Sequence, residues 1–211
     1  MNPHARQPVV AAGAPIAGAK GVVIMVHGRG AGPENILDLV PVFDRPALAY
    51  LAPAAANSTW YPFSFMSETA KNEPYLSSAL QRLADLVGEI ESHGHPRERI
   101  VLLGFSQGAC LASEFAVRHA SRFGGVIAFS GGLIGPPGTT WERGGSFEGT
   151  PVFLGCSDVD AHVPKTRVDE SAAVFSRLHA TVTERIYPGM GHTINDDEIA
   201  HAQKILDSVI G

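Results

Sequence analysis

Gly104-Phe105-Ser106-Gln107-Gly108 sets a serine between two glycines, at the point where the apolar run 100–103 gives way to an alanine-rich helical pattern over 107–120. A serine at the tip of a strand-to-helix turn sits on cramped backbone with its hydroxyl projecting above the sheet. Side chains two residues to either side would strike neighbouring main chain, which is why glycine is wanted there. The first N–H groups of the following helix point into the same space. A hydroxyl so placed is suited to nucleophilic attack on an acyl carbon. Gly and Ser are common in turns, so the pentapeptide takes its weight from the strand before it and the helix after it.

A serine hydroxyl is a poor nucleophile at neutral pH and needs a base within hydrogen-bond reach, held in one tautomer by a buried carboxylate. Of nine histidines, His192 follows the strand-like run 181–187 and a short turn, Pro188-Gly189-Met190-Gly191, that would set it over a sheet edge. With the order serine, acid, histidine, the acid belongs after the run 151–156, where Ser157-Asp158-Val159-Asp160 offers two carboxylates. Periodicity does not separate Asp158 from Asp160, and the one not used is expected to cap a turn. A tetrahedral oxyanion needs two donors: the backbone N–H of Gln107, just after the nucleophile, and that of Arg29, in the turn His27-Gly28-Arg29-Gly30-Ala31-Gly32. Only the main chain of Arg29 is required, which leaves its side chain for something else.

Other chemistries fit less well. The glycine-rich turn lacks the full G-x-G-x-x-G spacing, Tyr50 and Leu51 stand where a ribose-binding acid would follow, and there is no Walker lysine. Asp158-x-Asp160-x-His162 could be read as metal ligands, but no recognisable zinc or calcium spacing lies nearby. His93-Gly94-His95 reads as a solvated loop. No metal and no cofactor is expected.

These residues need a scaffold. Strand-like runs recur at 21–27, 47–52, 99–105, 125–130, 151–156 and 181–187, and 9–13 adds an edge strand. The central runs are continuously apolar, as strands covered on both faces are. Helical patterns fall between them at 33–43, 107–120, 165–179 and 196–209. The clearest carries Leu76, Leu80, Leu83, Val87 and Ile90 on one face after Asn72-Glu73-Pro74. Asn195-x-x-Glu198 is a capping-box pattern, so the last helix should begin shortly after His192. The alternation predicts an α/β fold: a mostly parallel, doubly wound sheet with helices on both faces and no separate lid domain. Two long loops, 53–72 and 131–150, follow strands and so should lie at the carboxyl edge of the sheet, where ligands bind. Trp60 and Tyr61 from the first and Leu133 from the second are the expected substrate-pocket walls.

A chain of 211 residues that is 45% hydrophobic supports one core. A single domain over 1–211 is expected, with 1–20 as an N-terminal segment. A net charge of -5 and no run of Lys or Arg leave no electrostatic footprint for nucleic acid or an anionic membrane, so partners should be small and neutral. Cys110 and Cys156 are too few for a disulfide framework and fit a reducing compartment. Neither a signal peptide nor a membrane span is read, and the expected location is cytoplasmic.

With these residues in place, the chain resembles the phospholipase/carboxylesterase family of α/β-hydrolases, which includes acyl-protein thioesterases and small bacterial carboxylesterases. The resemblance spans nearly the whole chain after residue 20. Its anchors are Val26-His27-Gly28-Arg29-Gly30, Gly104-Phe105-Ser106-Gln107-Gly108, Asp160-Ala161-His162-Val163-Pro164 and Tyr187-Pro188-Gly189-Met190-Gly191-His192. Counting backwards from Val163-Pro164, the family acid falls on Asp160. Cys156-Ser157 stands at the family's His-Gly, while Gly155 precedes Asp158 by the same interval, so Asp158 stays open. Arg29 stands where eukaryotic relatives carry an apolar residue, as in a bacterial subgroup. The resemblance implies an α/β-hydrolase fold and a serine carboxylesterase acting on small esters through Ser106, Asp160 and His192. The alternatives are an acyl-protein thioesterase or lysophospholipase acting on longer acyl chains, and a non-catalytic ligand-binding protein on the same scaffold. Apolar loops at the site would serve a membrane-like substrate, a homodimer contact or neither.

Overall fold

The computed structural model describes residues 2–211. Its seven strands are β1 Val9–Gly13, β2 Gly21–Val26, β3 Leu48–Pro53, β4 Ile100–Phe105, β5 Gly125–Phe129, β6 Pro151–Ser157 and β7 Thr181–Tyr187. They form one sheet in the order β1-β3-β2-β4-β5-β6-β7. β1 pairs antiparallel with β3 and every other pairing is parallel. All residues of β2 and β5 are buried. Both faces of these strands are covered, so both sets of alternating side chains must be apolar. Val22, Ile24 and Val26 join Ile100 and Leu102 in one core, while Val23 and Met25 join Val101 and Leu103 in the other.

The helices are α1 Pro33–Leu37, α2 Val40–Phe43, α3 Tyr75–Ser92, α4 Gln107–Arg118, α5 Lys165–Arg177 and α6 Asp196–Ile210. Leu83 of α3, Phe115 of α4 and Phe175 of α5 fill the first core; Ile36 of α1, Phe43 of α2 and Leu206 of α6 fill the second. The predicted architecture is therefore present, with differences at helix ends. The single helix expected over 33–43 is two short ones, because Pro41 has no N–H to give the Leu37 carbonyl and its ring crowds that oxygen. α5 stops at Arg177, and His179 beyond it lies in the left-handed region at φ 64°. The capping box forms: Asn195 Oδ1 accepts from Glu198 N, and Glu198 Oε2 accepts from Asn195 N, each at 2.9 Å. No helix among the described residues is long and apolar enough to cross a membrane.

The strand order matters most for the site. From β2 the chain moves to one side to lay down β3, then crosses to the other side for β4. Where direction reverses, the carboxyl ends of β2 and β4 open a crevice. The glycine-rich turn after β2 and the Ser106 turn after β4 flank it, with Val26 paired to Gly104.

Candidate active site

Ser106 sits at φ 55°, ψ −120°, a conformation costly for a residue with a Cβ. A Cβ on Gly104 would collide with the Gly108 backbone, and one on Gly108 with the Val26 carbonyl. The turn is tight because β4 runs straight into α4, and only glycines at those two positions let helix and sheet approach so closely. Ser106 N donates to Phe129 O at 2.9 Å, and Ser106 O accepts from Cys110 N at 3.0 Å, so the main chain is fixed on both sides.

His192 Nε2 lies 2.8 Å from Ser106 Oγ, and His192 Nδ1 lies 2.7 Å from Asp160 Oδ2. An ionised carboxylate only accepts, so Nδ1 carries the proton and Nε2 is left to accept from the serine hydroxyl. The Asp160 side chain is fully buried. Its Oδ1 accepts from His162 N at 2.8 Å and Val163 N at 2.9 Å. Burial opposes its ionisation, but the hydrogen bonds from His192, His162 and Val163 outweigh burial and hold the carboxyl below its ordinary pKa. Asp158 is exposed and does not reach His192. It accepts from Gly189 N at 2.7 Å and so pins the turn that carries the imidazole.

On the other side of the crevice, neither Arg29 N nor Gln107 N gives a hydrogen bond to protein among the described residues. Their side chains do related work. Gln107 Oε1 accepts from Trp60 N and Nε2 donates to Tyr61 O, both at 2.9 Å. Arg29 Nη1 donates to Pro62 O at 2.8 Å and Nη2 to Phe63 O at 2.7 Å. Arg29 and Gln107 thus clamp segment 60–63, one wall of a cleft of about 460 Å³ that also contains Ser106 and His192.

Of the three expected wall residues, Tyr61 lines that cleft and the other two do not. Trp60 is fully buried behind the wall, its Nε1 donating to His27 O at 2.9 Å between the rings of His4 and His27. Leu133 is also fully buried; its N–H donates to Ser171 Oγ at 2.9 Å, and loop 131–150 packs its apolar side chains onto the sheet. The wall is instead built by Phe63 and Phe65, with Asn35, Cys110 and His162 as further contributors. Cys110 had a signal in the sequence, since it lies one helical turn after Ser106 on the same face. Asn35 had none, because it arrives only through the packing of α1. Burial pushes the Cys110 thiol up to about 12, which keeps it neutral. The run Asp158-x-Asp160-x-His162 does not converge on a point, and among the described residues no group of three His, Cys, Asp or Glu side chains could hold a metal ion.

Known proteins resemble this chain along nearly its whole length. The profile of the phospholipase/carboxylesterase family matches residues 7–210. The crystal structure of a phospholipase/carboxylesterase from Dyadobacter fermentans DSM 18053 is 41% identical, with a TM-score of 0.92 over 100% of this chain and 99% of that one. An acyl-protein thioesterase 1 of Eremothecium gossypii is 28% identical over 215 residues, covering 90% of each chain. A probable carboxylesterase of Oryza sativa subsp. japonica is 27% identical over 206 residues, covering 88% of this chain and 86% of its own.

Proposed function

Because this chain belongs to the phospholipase/carboxylesterase family of α/β-hydrolases and is a serine hydrolase of the esterase/thioesterase class, we propose that it cleaves small carboxylic esters with Ser106 as nucleophile, His192 as general base and Asp160 as its orienting acid. One observation carries the reading: a single imidazole lies within 2.8 Å of the Ser106 hydroxyl and 2.7 Å of a buried carboxylate. His192 Nε2 takes the hydroxyl proton as Oγ attacks the carbonyl carbon, and the oxyanion settles against the N–H groups of Arg29 and Gln107. The imidazolium, stabilised by Asp160, gives its proton to the departing alcohol. Water then enters by the same route, leaves the acid, and restores Ser106.

The whole chain acts as one cytoplasmic domain in this reading, which its two unpaired, buried thiols support. A second reading, a thioesterase for longer acyl chains, is favoured by the aromatic wall of Tyr61, Phe63 and Phe65. A series of para-nitrophenyl esters and acyl thioesters graded by chain length decides between them: kcat/KM falling beyond short chains supports the first, rising supports the second. A fluorophosphonate probe should label the protein, while Ser106→Ala should lose both labelling and para-nitrophenyl acetate turnover with its thermal transition intact. Wild-type turnover in the variant would remove Ser106 from the mechanism.

A further inference from the structure

Arg29 has a side chain that the oxyanion turn does not require, since any residue supplies the main-chain N–H. Its guanidinium is nevertheless held in one place. Two of its N–H groups are tied to the carbonyls of Pro62 and Phe63, and its Cζ lies 6.0 Å from the centre of the Tyr61 ring. Carbonyls and a ring face orient a cation without neutralising it. Arg45, Arg97, Arg118 and Arg167 each pair with a carboxylate, whereas Arg29 enters no ion pair among the described residues. Glu34, the nearest acid along the chain, turns back towards Gly32.

The surroundings supply no opposing charge. Among the described residues no Asp or Glu lines the cleft, while Arg29 does, in a protein of net charge -5. Asp160 is buried behind His192 and committed to it. The exposed guanidinium N–H groups not held by Pro62 and Phe63 thus have no carboxylate partner among the described residues, in a cleft that Ser106 also lines, and they match the lone pairs of an oxyanion.

Resting on the serine-esterase reading above, we propose that the cleft selects esters whose acyl or alcohol portion carries a compact oxyanion, a carboxylate or a phosphate, that docks on the Arg29 guanidinium. The test uses matched pairs of esters: para-nitrophenyl pentanoate against the para-nitrophenyl half-ester of glutarate, phenyl acetate against meta-acetoxybenzoate, and phenyl acetate against meta-acetoxyphenyl phosphate. The first two pairs place a carboxylate on the acyl or the alcohol side, and the third replaces it with phosphate. The readout is the ratio of kcat/KM, anionic over neutral, for each protein, which cancels any general loss that Arg29 variants suffer in catalysis or wall packing.

In the wild type at least one ratio should exceed about fivefold, chiefly through KM, and shrink as ionic strength rises from about 0.05 to about 0.5 M. Arg29→Gln should bring that ratio to about one or below, and Arg29→Lys should keep part of it. Wild-type ratios at or below one in all three pairs overturn the proposal, as does an Arg29→Gln variant that keeps the preference. A purely structural clamp would lower both members of a pair alike and leave the ratio unmoved. If the neutral esters are not turned over and the fluorophosphonate does not label Ser106, it is the esterase reading that fails. Labelling and neutral turnover without an anionic preference sink this inference alone.

Discussion

At the scale of single residues, the two aspartates after β6 show how position divides labour between identical side chains. Asp160 faces inward and takes three N–H hydrogen bonds, one from His192 and two from the main chain, with the Cys156 thiol as a weaker fourth donor. Asp158 is exposed and holds only Gly189 N. Asp160→Asn should therefore lower kcat by about ten-thousandfold, because an amide can present N–H to Nδ1 and stabilise the wrong tautomer. Asp158→Asn keeps an acceptor for Gly189 and should cost less than about threefold, consistent with the small worth of exposed interactions. Steady-state rates on one neutral ester check both, and the reverse ranking would transfer the orienting role to Asp158. Residue types alone left this pair undecided, since the chain turns between them and no repeat says which carboxylate ends up inside.

At the scale of elements, α6 is anchored through a carboxyl buried against β6. Glu198 caps its own helix through Oε2, while Oε1 has no partner and occupies the space left by the missing side chain of Gly155. Burial, only partly offset by the Asn195 N–H, pushes this carboxyl up to about 7. Its folded pKa is above the unfolded value near 4.5, so the fold favours the protonated form. The stability from this group is fully present below about pH 4.5 and lost as pH rises through about 7. Glu198→Gln keeps an acceptor for Asn195 N and never ionises. Its Tm relative to wild type should rise by a few degrees between pH 5 and pH 8, and a difference that stays flat or narrows would refute this account. The capping box was legible from Asn195-x-x-Glu198, but the orphaned oxygen was not, because it depends on a glycine more than forty residues away in the chain.

At the scale of the whole molecule, the N-terminal segment is tied into the cleft wall. His4 accepts from Ala56 N and donates to Trp60 O, each at 3.0 Å, and His27 accepts from Ala55 N at 3.1 Å and donates to Gly28 O at 2.8 Å. Two neutral rings thus hold consecutive amides and enclose Trp60. Burial lowers both pKa values below 6.5, so this contribution is present above pH 6.5 and is lost as pH falls through the folded values. His4→Ala should cost about 1–3 kcal/mol at pH 8 by stranding buried backbone groups, less towards pH 5, and raise KM more than it lowers kcat. Urea unfolding at the two pH values with parallel kinetics measures this, and a cost that is independent of pH would show that the ring serves only as packing. Net charge, read as favouring a small neutral partner, describes the surface as a whole. It says nothing about a cleft that no Asp or Glu lines among the described residues.

The sequence by itself determined the strands, the elbow and the order of its catalytic candidates, because these follow from local backbone sterics and from period-two or period-3.6 patterning. It also located the two turns that flank the crevice, since each immediately follows a strand. Only the tertiary structure decided which aspartate meets His192, that Trp60 and Leu133 stand behind the wall, and that Arg29 is pinned without a counter-charge. β4 and β7 lie three strand spacings apart, about 14 Å, so their carboxyl-end loops meet only because segment 188–195 returns across β6 and β5. Such a meeting depends on strand order, twist and packing at once, and none of these is carried by the spacing of residues along the chain.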